Sequence, residues 1–124
     1  MRALVVDDSR AIRMVLSRML RKMGFDVEEA GDGREAIEVI DAKGPPDLAL
    51  VDWNMPEMNG YEFVQAVRER EDCADLRLVM VTTESESRRI RAVLEAGADE
   101  YVMKPFVEEA LTEKLALVGF ESMA

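Results

Sequence analysis

The chain has 124 residues, one domain's length, and its 26 acidic residues against 16 basic ones give a net charge of −10, which excludes bare attraction to nucleic acid or an anionic membrane. With no histidine, it can hold no Ser-His-Asp triad, imidazole-ligated metal or phosphohistidine of its own. The lone Cys73 excludes an internal disulfide and paired-cysteine zinc sites, and suits a reducing compartment.

Leu4-Val5-Val6 reads as a first strand, and Asp7-Asp8 ends it too early for a signal peptide. No apolar run approaches the ~18 residues of a membrane span, so a soluble cytoplasmic domain is expected. Ser9 is the expected N-cap of a helix that faces the sheet through Ile12, Val15, Leu16, Met19, Leu20 and Met23 and stops at Gly24. A weaker strand follows around Val27. Asp32 with Glu35 three residues on predicts a capping box opening a helix that buries Ala36, Ile37 and Ile40 and ends at Lys43-Gly44-Pro45-Pro46. Leu48-Ala49-Leu50-Val51 is the third strand; after Gly60 a helix turns Phe63, Val64 and Val67 inward. Leu78-Val79-Met80-Val81 is the fourth strand, followed by a helix carrying Ile90, Val93 and Leu94 and stopping at Gly97. Tyr101-Val102-Met103 is the fifth, and a last helix begins just after Pro105 with Leu111, Leu115 and Val118 buried. Nearly continuous hydrophobicity in the first, third and fourth strands indicates a parallel sheet covered on both faces. The expected architecture is (βα)5, one α/β domain over residues 1–124 with a doubly wound five-stranded parallel sheet, the nine methionines serving as core filler.

In such a sheet ligands bind outside the carboxyl ends of the strands. Asp7 and Asp8 stand there after strand 1, Asp52 after strand 3, Thr82 and Thr83 after strand 4, and Lys104 after strand 5. Three carboxylates converging on one edge repel one another unless a cation sits among them. An all-oxygen set selects a hard ion, Mg²⁺ before Ca²⁺, and Lys104 with Thr82 completes a pocket suited to phosphoryl oxygens. Each piece has a plainer reading alone: Asp8 or Ser9 as a cap, Asp52-Trp53-Asn54-Met55-Pro56 as a turn, Lys104-Pro105 as a helix start. Their joint position after strands 1, 3, 4 and 5 favours the site.

These segments, with Val5-Val6-Asp7-Asp8-Ser9, Val51-Asp52-Trp53-Asn54-Met55-Pro56 and Gly60, Val81-Thr82-Thr83-Glu84, Glu95-Ala96-Gly97-Ala98 and Tyr101-Val102-Met103-Lys104-Pro105-Phe106, resemble the receiver domains of two-component response regulators, most of all the stand-alone CheY-like chemotaxis receivers. The resemblance runs over essentially the whole chain and implies the flavodoxin-like strand order 2-1-3-4-5. It makes Asp52 the phosphoacceptor, with Asp8, Asp52 and the backbone carbonyl of Asn54 as direct Mg²⁺ ligands and Asp7 acting through a water. It gives Lys104 to the carboxylate and then to the phosphoryl group, expects a cis Lys104-Pro105 bond, assigns Thr82 and Tyr101 as the switch pair, and assigns Asn54 and Glu84 to tuning dephosphorylation. Such a protein is not a turnover enzyme on a separate substrate; it promotes its own phosphorylation and dephosphorylation.

The implied phosphodonor is a histidine kinase or phosphotransfer domain. Six basic residues up to position 25 (Arg2, Arg10, Arg13, Arg18, Arg21, Lys22) against two acidic ones make helix 1 a local basic exception near the pocket. The implied output face is helix 4, strand 5 and helix 5, with Glu86, Arg88, Arg89, Tyr101 and Lys114, and a flagellar motor switch as the candidate target. Glu86 and Ser87 make the start of helix 4 less basic than in the best-known chemotaxis systems. A phosphorelay intermediate or phosphate sink would share all the site residues. A haloacid-dehalogenase-type phosphatase would want an acid where Asn54 stands, a flavin-binding module of this fold would want a phosphate loop after strand 1, and an inert pseudoreceiver would lack a key residue.

Overall fold

The computed structural model describes residues 1–83, 87–104 and 107–120. Its elements in chain order are β1 (Arg2–Val6), α1 (Arg10–Lys22), β2 (Asp26–Ala30), α2 (Gly33–Lys43), β3 (Leu48–Asp52), α3 (Gly60–Arg68), a 3₁₀ turn (Glu71–Cys73), β4 (Arg77–Thr83), α4 (Ser87–Ala96), β5 (Glu100–Lys104) and α5 (Glu108–Leu117). All strands pair in parallel in the order β2-β1-β3-β4-β5, as expected.

Because strand side chains alternate, each central strand feeds two cores. Leu4, Val6, Ala49, Val51, Leu78 and Met80 face α2, α3 and α4 and meet Ala36, Ile40, Phe63, Val64, Val67 and Val93. Ala3, Val5, Leu48, Leu50, Val79 and Val81 lie on the opposite face with Leu16 and Leu20 of α1 and Leu111 and Leu115 of α5. Burying both faces is why these strands read as unbroken hydrophobic runs. A Phe25–Phe120 edge contact, centroids 5.4 Å apart, closes the second core beyond the end of α1.

The helix ends follow local chemistry. Ser9 accepts from the Ile12 amide as the N-cap of α1. Gly24 follows the α1 C-cap Met23 and Gly97 follows α4, both with positive φ, 99° and 125°. Asp32 caps α2 by accepting from the Glu35 amide; the reciprocal half of the expected capping box is not formed. A complete box lies instead at α3, between Asn59 and Glu62, with Asn59 as the N-cap directly before Gly60.

Val15 departs from expectation, being 48% exposed. At 3.6 residues per turn it lies about 100° round the helix from Leu16, outside the sector that touches the sheet. Val118 is half-buried past the end of α5, and α5 itself starts at Glu108 behind Val107. Pro105 and Phe106, and so the expected cis bond and helix start there, lie outside the described residues, as do Glu84 and Glu86 and the side chain of Arg88.

Candidate functional site

The carboxyl end of the sheet gathers Asp7, Asp8, Asp52 and Lys104. Asp7 follows β1 and is 1% exposed: its Oδ1 accepts from the Ser9 amide at 2.8 Å, its amide donates to the Ala30 carbonyl, and its carbonyl accepts from Arg13 Nη1 at 2.6 Å. This backbone anchoring fixes Asp7 while its side chain stays short of partners. Asp8 next to it is exposed. Asp52 is the last residue of β3, 8% exposed, and lies opposite Val81 of β4.

The backbone around Asp52 is braced from α3. The Gly60 amide donates to the Trp53 carbonyl at 2.9 Å, and a Cβ at Gly60 would stand 2.6 Å from the Asp52 carbonyl oxygen and 2.7 Å from Met80 Cε. Only a glycine lets the start of α3 approach this closely. Between them the chain makes a tight turn in which Met58 N donates to Pro56 O at 2.7 Å and Glu57 sits at φ 66°.

One oxygen from each of Asp7, Asp8 and Asp52 falls within 4.8 Å of the others. Lys104 Nζ, from the end of β5, lies 3.2 Å from Asp52 Oδ1 and 3.6 Å from Asp7 Oδ2, so one ammonium serves two of the three carboxylates. Burial, then the charge of Asp7, push the Asp52 carboxyl up to about 6 against the pull of Lys104. Burial alone would lower Lys104, but Asp52 and Asp7 outweigh it and raise it. Asp7 Oδ2 is buried and accepts no hydrogen bond. A buried carboxylate oxygen met only by a long ion pair, a surplus of negative charge and an all-oxygen donor set fit a hard metal cation.

The other expected site residues surround this cluster. Asn54 is exposed and, with Asp8, lines an open cleft of about 720 Å³ whose other walls are Trp53, Met55, Pro56, Asn59 and Arg89. Thr82 is 1% exposed, one residue beyond the Val81 that pairs with Asp52. Tyr101 is half-buried on the edge strand, packed against the α3 and α4 core, with Lys114 Nζ 4.4 Å from its ring centroid. Thr82 and Tyr101 share a sheet face, because Tyr101 pairs with Met80 and Met103 with Thr82. Arg89, on α4, lies over the Trp53 ring, 5.5 Å from its centroid, and lines the same cleft as Asp8. Trp53 also stacks on Tyr61 at 5.9 Å. Of the basic residues near α1, Arg13 pairs with Glu29, Arg2 with Glu28 and Lys22 with Glu108, leaving Arg10, Arg18 and Arg21 exposed along the helix.

Comparison with known proteins agrees with this geometry. The family model for the response regulator receiver domain matches residues 3–116. The chain is 40% identical over 119 residues to chemotaxis protein CheY1 of Helicobacter pylori, covering 95% of this chain and 96% of that one. It is likewise 40% identical over 116 residues to a CheY homolog of Campylobacter jejuni, covering 93% and 89%. The solved structure of Vibrio cholerae CheY4 superposes with a TM-score of 0.86 at 38% identity, covering 94% of this chain and 97% of that one. No helix among the described residues is long and apolar enough to cross a membrane. With its strand order, its acidic edge and the family match over residues 3–116, the chain belongs to the response regulator receiver domains, signalling proteins rather than turnover enzymes.

Proposed function

We propose that the chain is a single CheY-like receiver over residues 1–124 that works in chemotaxis or motility control, and that a histidine kinase or phosphotransfer domain phosphorylates it on Asp52. The observation that carries this reading is the contact of Lys104 Nζ with Asp52 Oδ1 inside a buried carboxylate cluster. A carboxylate is a weak nucleophile, so positioning and charge neutralisation must supply the rate. Asp52 is held by the braced end of β3, and Lys104 orients its carboxylate and pulls its proton affinity down from the value burial would impose. In transfer an Asp52 oxygen bonds to phosphorus while the P–N bond to the donor imidazole breaks and its electron pair stays on the ring. Lys104 then holds a phosphoryl oxygen. Asp8, Asp52 and the Asn54 carbonyl would hold Mg²⁺ directly and Asp7 through a water, and the ion when bound neutralises charge on the transferring group.

Thr82 would hydrogen-bond the new phosphoryl group, and Tyr101, on the same sheet face, would turn inward and reshape the surface around α4, β5 and α5 for an output partner, a flagellar motor switch among the candidates. Asn54 and Glu84 would tune how water reaches the acyl phosphate. A cytoplasmic location follows from a histidine-kinase donor. A phosphorelay intermediate or phosphate sink is the alternative; phosphoryl return from Asp52 to a histidine module would reveal it.

Incubation with acetyl phosphate and Mg²⁺ tests the assignment by intact mass. One base-labile phosphoryl group is expected on the wild type and none on Asp52→Asn. Equal labelling of the variant, or equal labelling of the wild type in EDTA, overturns it.

A further inference from the structure

The cleft beside the acidic cluster is far larger than one phosphoryl group needs, and its charged lining among the described residues is asymmetric. Asp8 stands on one side, and Arg89 reaches in from α4 across the Trp53 ring. Lys104 is committed to Asp52 and Asp7 at the inner end of the cluster. A phosphodonor aligned for in-line attack places its leaving group opposite the nucleophile, on the outward side. Arg89 is a cation that lines the open cleft next to the cluster, together with Asp8 of that cluster. An exposed cation–π contact is weak, enough to bias the guanidinium towards the cleft and too little to lock it there.

We infer that Arg89 is a donor-binding residue that favours phosphodonors whose leaving group departs as an anion. This rests on Asp52 being the phosphoacceptor. With acetyl phosphate, the Asp52–phosphorus bond forms as the bridging P–O bond breaks, and the electron pair leaves on acetate, whose developing charge Arg89 meets. With phosphoramidate, the P–N bond breaks and neutral ammonia leaves, so the same guanidinium gains nothing from the departing group. Met55 and Pro56 give the cleft an apolar wall that suits the acetyl methyl group.

The test measures rates of phosphorylation by acetyl phosphate and by phosphoramidate in Mg²⁺ for wild type, Arg89→Gln and Arg89→Lys, following Trp53 emission and intact mass. The ratio of the acetyl phosphate rate to the phosphoramidate rate should fall roughly fivefold in Arg89→Gln, the scale of one exposed charge interaction, and recover in Arg89→Lys. A purely structural role for Arg89 would move both donors together. An unchanged ratio in Arg89→Gln, or a ratio that Arg89→Lys leaves as low as Arg89→Gln does, overturns the inference. Failure of both donors to label wild-type Asp52 would instead overturn the phosphoacceptor assignment.

Discussion

At the amino-terminal ends of the strands, Glu28 takes Arg2 at 2.7 Å and Lys43 at 2.8 Å, and Asp47 accepts the Arg2 amide at 2.9 Å. Burial would raise Glu28, but Lys43 and Arg2 prevail and hold it below the usual carboxylate range. Arg68 donates to the carbonyls of Gly97, Cys73 and Leu76 and to Asp99, which in turn accepts the Leu78 amide. At the opposite ends of the same strands, three carboxylates crowd around one lysine that reaches only two of them, and Glu57 holds a left-handed backbone. One end of the sheet is electrostatically matched and the other is mismatched. The mismatch costs stability that a cation or a proton can return.

The largest expected effect comes from breaking the matched end. Arg68→Ala strands three carbonyls and Asp99 and empties the space where the Arg68 stem lies against Gly97. A loss of about 3–5 kcal/mol is expected, from three part-buried carbonyls left unsatisfied at about 1–3 kcal/mol each. Urea unfolding checks it. A loss under about 1 kcal/mol would show that solvent already satisfies this cluster.

Relieving the mismatched end should do the reverse. The Asp52 carboxyl rises from 3.8 to about 6 in the folded, metal-free protein. The native state therefore keeps a proton that the unfolded chain releases between these values, so this group's contribution is most favourable below about pH 4 and is lost as pH rises through 6. At about 1.4 kcal/mol per tenfold change in proton affinity, the loss approaches about 3 kcal/mol. Asp52→Asn lacks that loss. Its stability relative to wild type should grow from pH 4 to pH 6 and then level off, and a pH-independent difference would contradict the mismatch. Glu28 works with the opposite sign, because a lowered carboxyl contributes stability that is lost as pH falls, so the comparison needs both proteins at each pH.

A divalent cation should do to the wild type what the amide does. Mg²⁺ at one hundred times its dissociation constant should add about 2.7 kcal/mol by mass action. Asp8→Ala removes a carboxylate from the cluster and should lose most of that gain, while its metal-free stability stays at or above the wild-type value. Thermal unfolding with Mg²⁺ and with EDTA measures both. An equal Mg²⁺ gain in the variant would place the cation elsewhere.

The two ends also differ in how far the sequence disclosed them. Asp7, Asp8, Asp52 and Lys104 were legible because each directly follows a hydrophobic run, and a parallel sheet aligns those positions whatever the loops do. Arg68 was not, since its partners at 73, 76, 97 and 99 come together only once α3, the 3₁₀ turn, α4 and β5 have packed. Arg89 was placed on a face by its helix, but which ring it covers depends on how α4 sits against Trp53. Val15 failed for a similar reason: periodicity finds a stripe, and the neighbouring elements decide how wide a sector they cover. The Asn59 and Glu62 box, by contrast, stands in the sequence at plain cap spacing, next to the glycine at the start of α3.

The smallest effect concerns backbone rather than charge, and it inverts a familiar ordering. Glu57 is the described non-glycine residue with positive φ, at 66°, inside the turn closed by Met58 N and Pro56 O. Its ion pair with Arg34 spans 3.6 Å between side chains that are both largely exposed, so the carboxylate adds little. An alanine there keeps the steric penalty of a Cβ in the left-handed region, whereas a glycine removes it at the cost of unfolded-state entropy. Glu57→Gly should therefore be more stable than Glu57→Ala by about 1 kcal/mol. At Glu38, exposed in the middle of α2, the order should be the opposite by about the same amount, because glycine is the poorer helix former. Four variants and one denaturant titration each settle it. If alanine were the more stable at both positions, the tight turn would not be the conformation held in solution, and the bracing of Asp52 through Met58, Asn59 and Gly60 would have to come from the capping box and the Gly60 contact alone.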